Sequence, residues 1–439
     1  MSVPTFAPLQ AIDRPALLVW TRVLVFAMVC CVGMMPYLGA ALVGGAFVLQ
    51  AFWTARDHGD LWPRLRRAAI TRGWIAVAAF VSYLVLRLLP LPLDVDALPG
   101  IAAAIIFTAL VFGTFALFAD QNDDVQRAIA DAVLAAFVVT AVIHAIEVST
   151  GFALRRLVWT WVPALRPRAG KFEIDAGVVR NVVIYIANPT STILAALFWP
   201  VLLLAQKDKR PHIQRAVIYG GALLCAYAIA RGDQATSKMA LVAGTLTWLA
   251  IAVIPRATRP LLASIWIASN VLVLPVALYA YSHGWHSLPR NFSAQHRVVL
   301  WGVTAEKTLA HPILGIGTGK TPTFDDSTSP DVKTVPGTNL PIATNRHAHN
   351  VFLQTWYEGG ALGVLLLILA GLPVVGWIAK APRRSQALLG AAFSSAVLSA
   401  SFSYSLLAAW FLASFAITAL FCRFAVNGSD ERSVDWSGA

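Results

Sequence analysis

The segment 351–379 reads VFLQTWYEGGALGVLLLILAGLPVVGWIA and carries one charged residue, Glu358. An apolar run of about 20 residues is long enough to cross a bilayer as a helix. Other segments share this character, and the predicted spans are 16–35, 37–53, 70–89, 98–119, 126–148, 178–206, 215–231, 238–255, 260–281, 351–379, 385–403 and 405–425. We therefore expect an all-α integral membrane protein with about 12 transmembrane helices.

The composition of the whole chain supports this class. Of 439 residues, 58% are hydrophobic and 13% are charged, whereas soluble domains are about half apolar and about a quarter charged. This balance excludes a disordered chain and an ordinary cytosolic domain. The four cysteines lie in apolar segments, which favours small apolar side chains in helices over a disulfide framework.

The distribution of basic residues predicts the orientation. The short loops after the second, sixth, eighth and tenth predicted spans are basic, which places them and the N-terminus in the cytoplasm. The outer segments 149–180 and 282–349 are basic as well, against this rule. Either these loops cross the membrane regardless of charge, or the outer face handles an anionic group such as phosphate or pyrophosphate.

Polar residues around Pro189 interrupt the predicted span 178–206. Proline removes a backbone donor and disfavours helix at the preceding Asn188. The interruption is either a proline kink packed against neighbouring helices or the floor of an outward-facing polar cavity, with Arg180 at its mouth.

The long polar loop 282–349 is the place where we expect chemistry outside the membrane. A helix predicted over 293–310 places Arg297 and Trp301 four residues apart, on one face. His349 and Asn350 come directly before the next span.

A histidine near several arginines suits acid–base work on a phosphorylated substrate. Imidazole titrates near neutral pH and accepts a proton, while arginine binds phosphate oxygens in a bidentate manner. Two other interpretations stay open on this evidence. His349 caps a helix start, or His347 and His349 form a metal site with the aspartates of the loop.

Two stretches carry a family resemblance: RVVLWGVTAEKTLAHPILGIGTG at 297–319 and HAHNVFLQTWYEGGALG at 347–363. Together they resemble the signature of the O-antigen ligase and polymerase superfamily of bacterial integral-membrane glycosyltransferases. The matching residues are Arg297, Trp301, Pro312, Gly315, Gly317, His349, Asn350, Glu358 and Gly360.

A Ser-Arg or Thr-Arg pair at an outer helix end is also common in this superfamily. Its best counterpart is Ser237-Lys238, with Arg231 upstream. Because lysine lacks the bidentate fork of arginine, it stays open whether Lys238 or Arg231 takes this role. Arg180 resembles a further arginine of the superfamily.

The resemblance implies a GT-C-type, metal-independent, inverting glycosyltransferase that uses no cofactor. The donor is then a glycan on undecaprenyl pyrophosphate, and the acceptor is a sugar hydroxyl of lipid A–core oligosaccharide. Membrane lipids surround the protein, and nucleic acid is not a partner. His349 is the implied general base, and Arg297 stabilises the departing pyrophosphate. The implied substrate-binding residues are Arg180, Arg231, Lys238, Trp301, Arg346, His347 and Asn350.

The resemblance also implies a place and an organisation: the bacterial inner membrane, with the active site facing the periplasm. Residues 1–281 are expected to form nine spans with a basic periplasmic segment at 149–180. Residues 282–350 form the periplasmic loop with short helices and the catalytic motif. Residues 351–425 form the last three spans, and 426–439 a cytoplasmic tail.

Other functions stay open. A polymerase of the same superfamily joins one lipid-linked repeat to another, and a protein O-oligosaccharyltransferase uses a serine or threonine of a protein acceptor. A transporter of an anionic solute is the alternative from another class, although such proteins usually show paired broken helices in repeats, and only one broken span is evident.

Overall fold

A computed structural model describes residues 13–34, 39–57, 61–88, 98–118, 121–166, 171–207, 211–284, 292–319, 348–402 and 409–427. These residues form α1 (Arg14–Met34), α2 (Gly39–Asp57), α3 (Leu61–Ala69), α4 (Arg72–Leu88), α5 (Leu98–Phe118), α6 (Asp123–Ser149), α7 (Ala153–Trp161), α8 (Asn188–Lys207), α9 (His212–Arg231), α10 (Ala235–Val253), α11 (Thr258–Val271), α12 (Val273–Tyr279), α13 (Phe292–Thr308), α14 (Val351–Lys380), α15 (Arg383–Phe402) and α16 (Ala409–Asn427). Two short strands, β1 (Phe172–Asp175) and β2 (Val178–Val182), pair antiparallel.

The described part of the chain contains 7 helices that are long and apolar enough to cross a membrane. The pair α11 and α12, bent by 54° at its junction, adds an eighth span if it counts as one. Shorter apolar helices lie within α4, α5 and α16. The prediction of an all-α integral membrane protein is therefore confirmed, whereas the number twelve and the GT-C type stay predictions.

The predicted span 178–206 needs a correction at its start. Residues 178–182 are β2, which pairs with β1 in a hairpin, and the helical part begins only at Ile184. α8 itself starts at Asn188, so Pro189 lies in its first turn. A proline there loses no intrahelical hydrogen bond, because the first backbone N–H groups of a helix have no intrahelical partner. The predicted interruption is thus a helix start, and the expectation of a proline kink within the span was wrong. The alternative, a floor of an outward-facing cavity, stays a prediction.

The core of the bundle surrounds α8, which packs against α1, α6, α9, α10, α15 and α16. The largest fully buried side chains of this core include Phe137, Leu194 and Phe421. The Trp199 indole donates to the Ser395 hydroxyl at 2.8 Å, and this hydroxyl donates to the Ala240 carbonyl at 2.7 Å. Small and hydroxylated residues of this kind are typical of helix contacts inside membranes. These two hydrogen bonds link α8, α15 and α10.

Candidate functional site

The start of α14 holds His349 in an unusual backbone conformation. Asn350 caps the helix, because its side-chain oxygen accepts hydrogen bonds from the N–H groups of Phe352 and Leu353, both at 3.0 Å. His349 directly before it is half-buried and has φ 53°. A non-glycine residue in the left-handed region is uncommon and often marks a functional position.

α13 packs against the segment that contains His349. The Trp301 indole N–H donates to the carbonyl of Ala348 at 2.9 Å, next to His349. Ala305 on the same helix packs with Ala348 and Leu353 in a buried apolar cluster. Arg297 is half-buried one helical turn before Trp301, on the same face of α13. The predicted helix over 293–310 is confirmed, and α13 directs the Arg297–Trp301 face towards the start of α14.

A glycine turn occupies a break in α14. Gly360 has φ 62° and ψ −164°, so the helix is interrupted there. The N–H groups of Ile316 and Gly317 donate to the carbonyls of Tyr357 and Glu358 at 2.9 and 3.0 Å. A Cβ on Gly315 would lie 2.5 Å from the Glu358 backbone. Glycine is therefore required on both sides of this contact.

Side chains of α14 and α4 fix the same turn. The buried carboxylate of Glu358 accepts from the Gly319 N–H at 3.0 Å and from the Gln354 amide at 2.9 Å. The Arg87 guanidinium donates to the Gly315 carbonyl at 3.0 Å, and the Tyr83 hydroxyl to the Gly359 carbonyl at 2.7 Å. Arg87 and Tyr83 could not be recognised from the sequence, because their partners are backbone atoms more than two hundred residues away.

The paired motif at Ser237-Lys238 lies in the first turn of α10, near the same site. Lys238 is exposed, and Arg231 is exposed at the end of the preceding helix. The Thr236 hydroxyl lies 3.5 Å from the carbonyl of Phe402, whose ring centroid is 5.4 Å from that of Trp301. The start of α10 and the Arg297–Trp301 face therefore share one end of the bundle.

Arg180 is in a different setting from the predicted one. It lies on β2, where its Nε is 3.5 Å from the Asp175 carboxylate across the hairpin. Both side chains are largely exposed, at 63% and 73%. The hairpin stays close to α7, because the Arg156 guanidinium donates to the Arg180 carbonyl at 3.2 Å. Arg180 is thus a strand residue with an acidic partner, and not a helix residue at the start of a span as predicted.

A buried network that the sequence analysis missed joins the ends of several helices. We call it the polar seam, and it consists of His144, Glu147, Arg155, Thr190, Ser191, Thr192, Gln234 and Ser237.

Its ion pair is between Glu147 and Arg155. The Arg155 N–H donates to one carboxylate oxygen at 2.9 Å, and its Nε lies 3.4 Å from the other. The guanidinium also donates to the Thr190 hydroxyl at 3.3 Å. Glu147 has a side-chain exposure of 1%, so this pair is a buried one. It holds α7 against the ends of α6 and α8.

The rest of the polar seam is made of neutral groups. His144 Nε2 is 2.9 Å from the Ser191 hydroxyl. The Gln234 amide donates to Thr192 at 2.9 Å, and the Ser237 hydroxyl donates to Gln234 at 2.6 Å. The polar seam thus places Ser237, and with it the exposed Lys238, at a defined position beside α8.

One end of the bundle therefore carries Arg231, Lys238, Arg297, Trp301 and His349. Asn350 lies there too, but its side chain is 4% exposed and caps α14, so its contact with a substrate stays a prediction. The predicted residues Arg346 and His347 lie outside the described residues. Among the residues that are described, no group of three or more His, Cys, Asp or Glu side chains is placed to hold a metal ion.

The histidine next to Arg297 has a perturbed environment. Burial, and then the positive charge of Arg297, lower the pKa of His296 below its ordinary value. Both effects disfavour the protonated form of His296 in the folded protein.

Part of the chain is similar to a known protein family. Residues 220–368 match a family model described as O-Antigen ligase. This range contains every predicted site residue except Arg180. No curated protein sequence matches the chain significantly.

Proposed function

Because the match over residues 220–368 confirms the resemblance to the O-antigen ligase and polymerase superfamily, we propose that the protein is an O-antigen ligase. It transfers a glycan from undecaprenyl pyrophosphate to a sugar hydroxyl of lipid A–core oligosaccharide. The reaction takes place at the periplasmic side of the bacterial inner membrane. The placement of His349 between the Asn350 cap and the Trp301–Ala348 hydrogen bond is the observation that supports this proposal most.

His349 acts as the general base. The acceptor hydroxyl oxygen attacks the anomeric carbon of the donor, its proton passes to the imidazole, and the bond from this carbon to the pyrophosphate oxygen breaks. Attack opposite to the leaving group inverts the anomeric centre. A positioned base of this kind contributes about 10²–10⁴ in rate. The hydrogen bonds of Ala348 and Asn350 hold the backbone of His349 in place before the acceptor arrives.

The cations at this end of the bundle take up the charge of the leaving pyrophosphate. Arg297 lies one turn from the Trp301 anchor and binds phosphate oxygens in a bidentate manner. Lys238 and Arg231 contribute positive charge from the neighbouring helix ends, and Arg180 does so from the hairpin. These side chains stabilise the leaving group without a metal ion.

Purified protein in nanodiscs tests the reaction class. It receives undecaprenyl-pyrophosphate glycan and lipid A–core in the presence of a chelator, and the products are separated on a gel. Glycan on lipid A–core supports the ligase. Longer lipid-linked chains instead identify a polymerase, and glycan on an added protein acceptor identifies a protein O-oligosaccharyltransferase. A product that disappears with chelator refutes the metal-independent mechanism.

Variants test the roles of individual residues. We expect His349→Asn to lower transfer at least about 10²-fold, while asparagine tolerates the left-handed backbone. The matched control is His311→Ala, which removes an exposed imidazole beside the glycine turn at Gly315. Arg297→Gln should reduce transfer and donor binding together. Wild-type activity in His349→Asn refutes the base assignment, provided that both variants unfold at the wild-type temperature.

A further inference from the structure

A cleft of about 970 Å³ opens at the end of α14 opposite to the candidate site. Its walls are the first turns of α4, residues 255–259 before and within α11, the second half of α14 and the start of α15. His349 and Asn350 of the candidate site lie at the start of α14, whereas the cleft is lined by residues 366–380 near the other end of this helix. The two sites are therefore separated along the length of α14.

The rim of the cleft is basic. Arg256, Arg259, Lys380 and Arg383 line it, and no aspartate or glutamate does so among the described lining residues. All four are exposed. Within the described chain, Arg256, Arg259 and Arg383 make no ion pair with a carboxylate. As basic residues of short loops, these side chains predict the orientation of the chain, and that role does not require them to converge on one cleft.

The wall below this rim is apolar. Ile75, Leu366, Leu369 and Leu372 form it, together with Gly376. A Cβ built on Gly376 meets no atom within 4 Å, so the cleft is open at this point. A cluster of positive charges above an apolar wall suits a molecule with an anionic head and a hydrocarbon chain.

We propose that this cleft binds an anionic membrane phospholipid. The phosphate-containing headgroup is held by the arginines at the rim, and one acyl chain lies along the leucines of α14. A freely dissolved phosphate ion would use the rim but not the wall. The bound lipid contacts α4, α11, α14 and α15 together, so it stabilises their packing by mass action.

Native mass spectrometry of the full chain in detergent tests the proposal. The probes are phosphatidylglycerol, phosphatidylcholine with the same acyl chains, and inorganic phosphate. We expect retention of phosphatidylglycerol over phosphatidylcholine. The double variant Arg256→Gln/Arg259→Gln should bind phosphatidylglycerol about 25-fold more weakly, at roughly fivefold per basic residue near an anionic lipid.

Two further variants separate the possible causes. Arg66→Gln/Arg67→Gln removes the same charge from α3 and should leave the retention unchanged, which shows that the cleft and not net charge matters. Gly376→Leu fills the apolar wall and should abolish retention with all arginines present.

Equal retention of both phospholipids, or wild-type retention in the Arg256/Arg259 variant, overturns the proposal. Binding of inorganic phosphate with wild-type phospholipid retention in Gly376→Leu also overturns it, because the cleft would then recognise the ion alone.

Discussion

Replacing Gly360 by alanine tests how the motif on either side of the long loop is assembled. Gly360 lies at the break of α14, with φ 62° and ψ −164°. A Cβ there would lie 2.4 Å from the backbone carbonyl of Ile313 and 2.6 Å from the nitrogen of Gly315. These are backbone atoms, so no side-chain rotation relieves the overlap.

The cost follows from two contributions. The backbone region of Gly360 is nearly exclusive to glycine, and an alanine there costs about 2 kcal/mol. Relief of the overlap requires the turn to move away from α14. The contact comprises hydrogen bonds from Ile316, Gly317, Ala361 and Leu362 to the facing carbonyls. Losing two of them adds about 2 kcal/mol, because a net hydrogen bond contributes about 1 kcal/mol.

Thermal unfolding in detergent measures this loss, and a thiol-reactive fluorogenic dye reports it because Cys225 and Cys422 are buried. With an unfolding entropy of roughly 0.9 kcal/mol/K for a chain of 439 residues, a loss of about 4 kcal/mol lowers the melting temperature by about 4 °C.

The matched control is Gly376→Ala on the same helix, where a Cβ meets no atom within 4 Å. It should keep or slightly raise the melting temperature, since alanine favours a helix over glycine. Equal melting temperatures for the two variants would refute the account of the break.

Three further predictions concern the supports of the site. Asn350→Ala removes the cap of α14 and should lower the free energy of unfolding by about 1 kcal/mol in the same assay; an unchanged value would contradict the capping role. Glu147→Gln leaves Arg155 without its buried partner and should cost roughly 3 kcal/mol, whereas Asp175→Asn at the exposed pair with Arg180 should cost less than about 1 kcal/mol. Equal losses would show that Glu147 and Arg155 do not act as a buried ion pair. The lowered pKa of His296 in the folded protein means that the unfolded chain binds more protons below about pH 6.5. Stability should therefore fall as the pH drops from 7 to 5, and His296→Gln should reduce this dependence; the same pH profile in both proteins would contradict the shift.

The positions of most helices could be predicted from hydropathy. The predicted span 98–119 corresponds to α5, 215–231 to α9 and 351–379 to α14, because a segment that crosses a bilayer must be long and apolar along its own sequence. The prediction failed at 178–182, where the start of the predicted span forms a strand. Short apolar runs do not distinguish a strand from a helix, and the hairpin partner β1 decides the outcome.

The candidate site was predicted in part. The motif residues Arg297, Trp301 and His349 were identified from a resemblance, and the structure packs α13, which carries the first two, against the segment that holds His349. Glu147 and Arg155 were missed because each lies in a segment whose local pattern has an ordinary explanation. Their importance comes from mutual burial, which depends on how α6, α7 and α8 pack.

The sequence by itself determined the membrane class, the location of the long apolar helices and the two halves of the motif, because hydropathy and residue spacing are local properties of the chain. Only the tertiary structure decided that Trp301 holds the backbone next to His349, that the glycine turn fills the break at Gly360, and that basic residues from three segments share one cleft. These arrangements join residues far apart in the chain, and they arise from packing between helices, which no local pattern encodes.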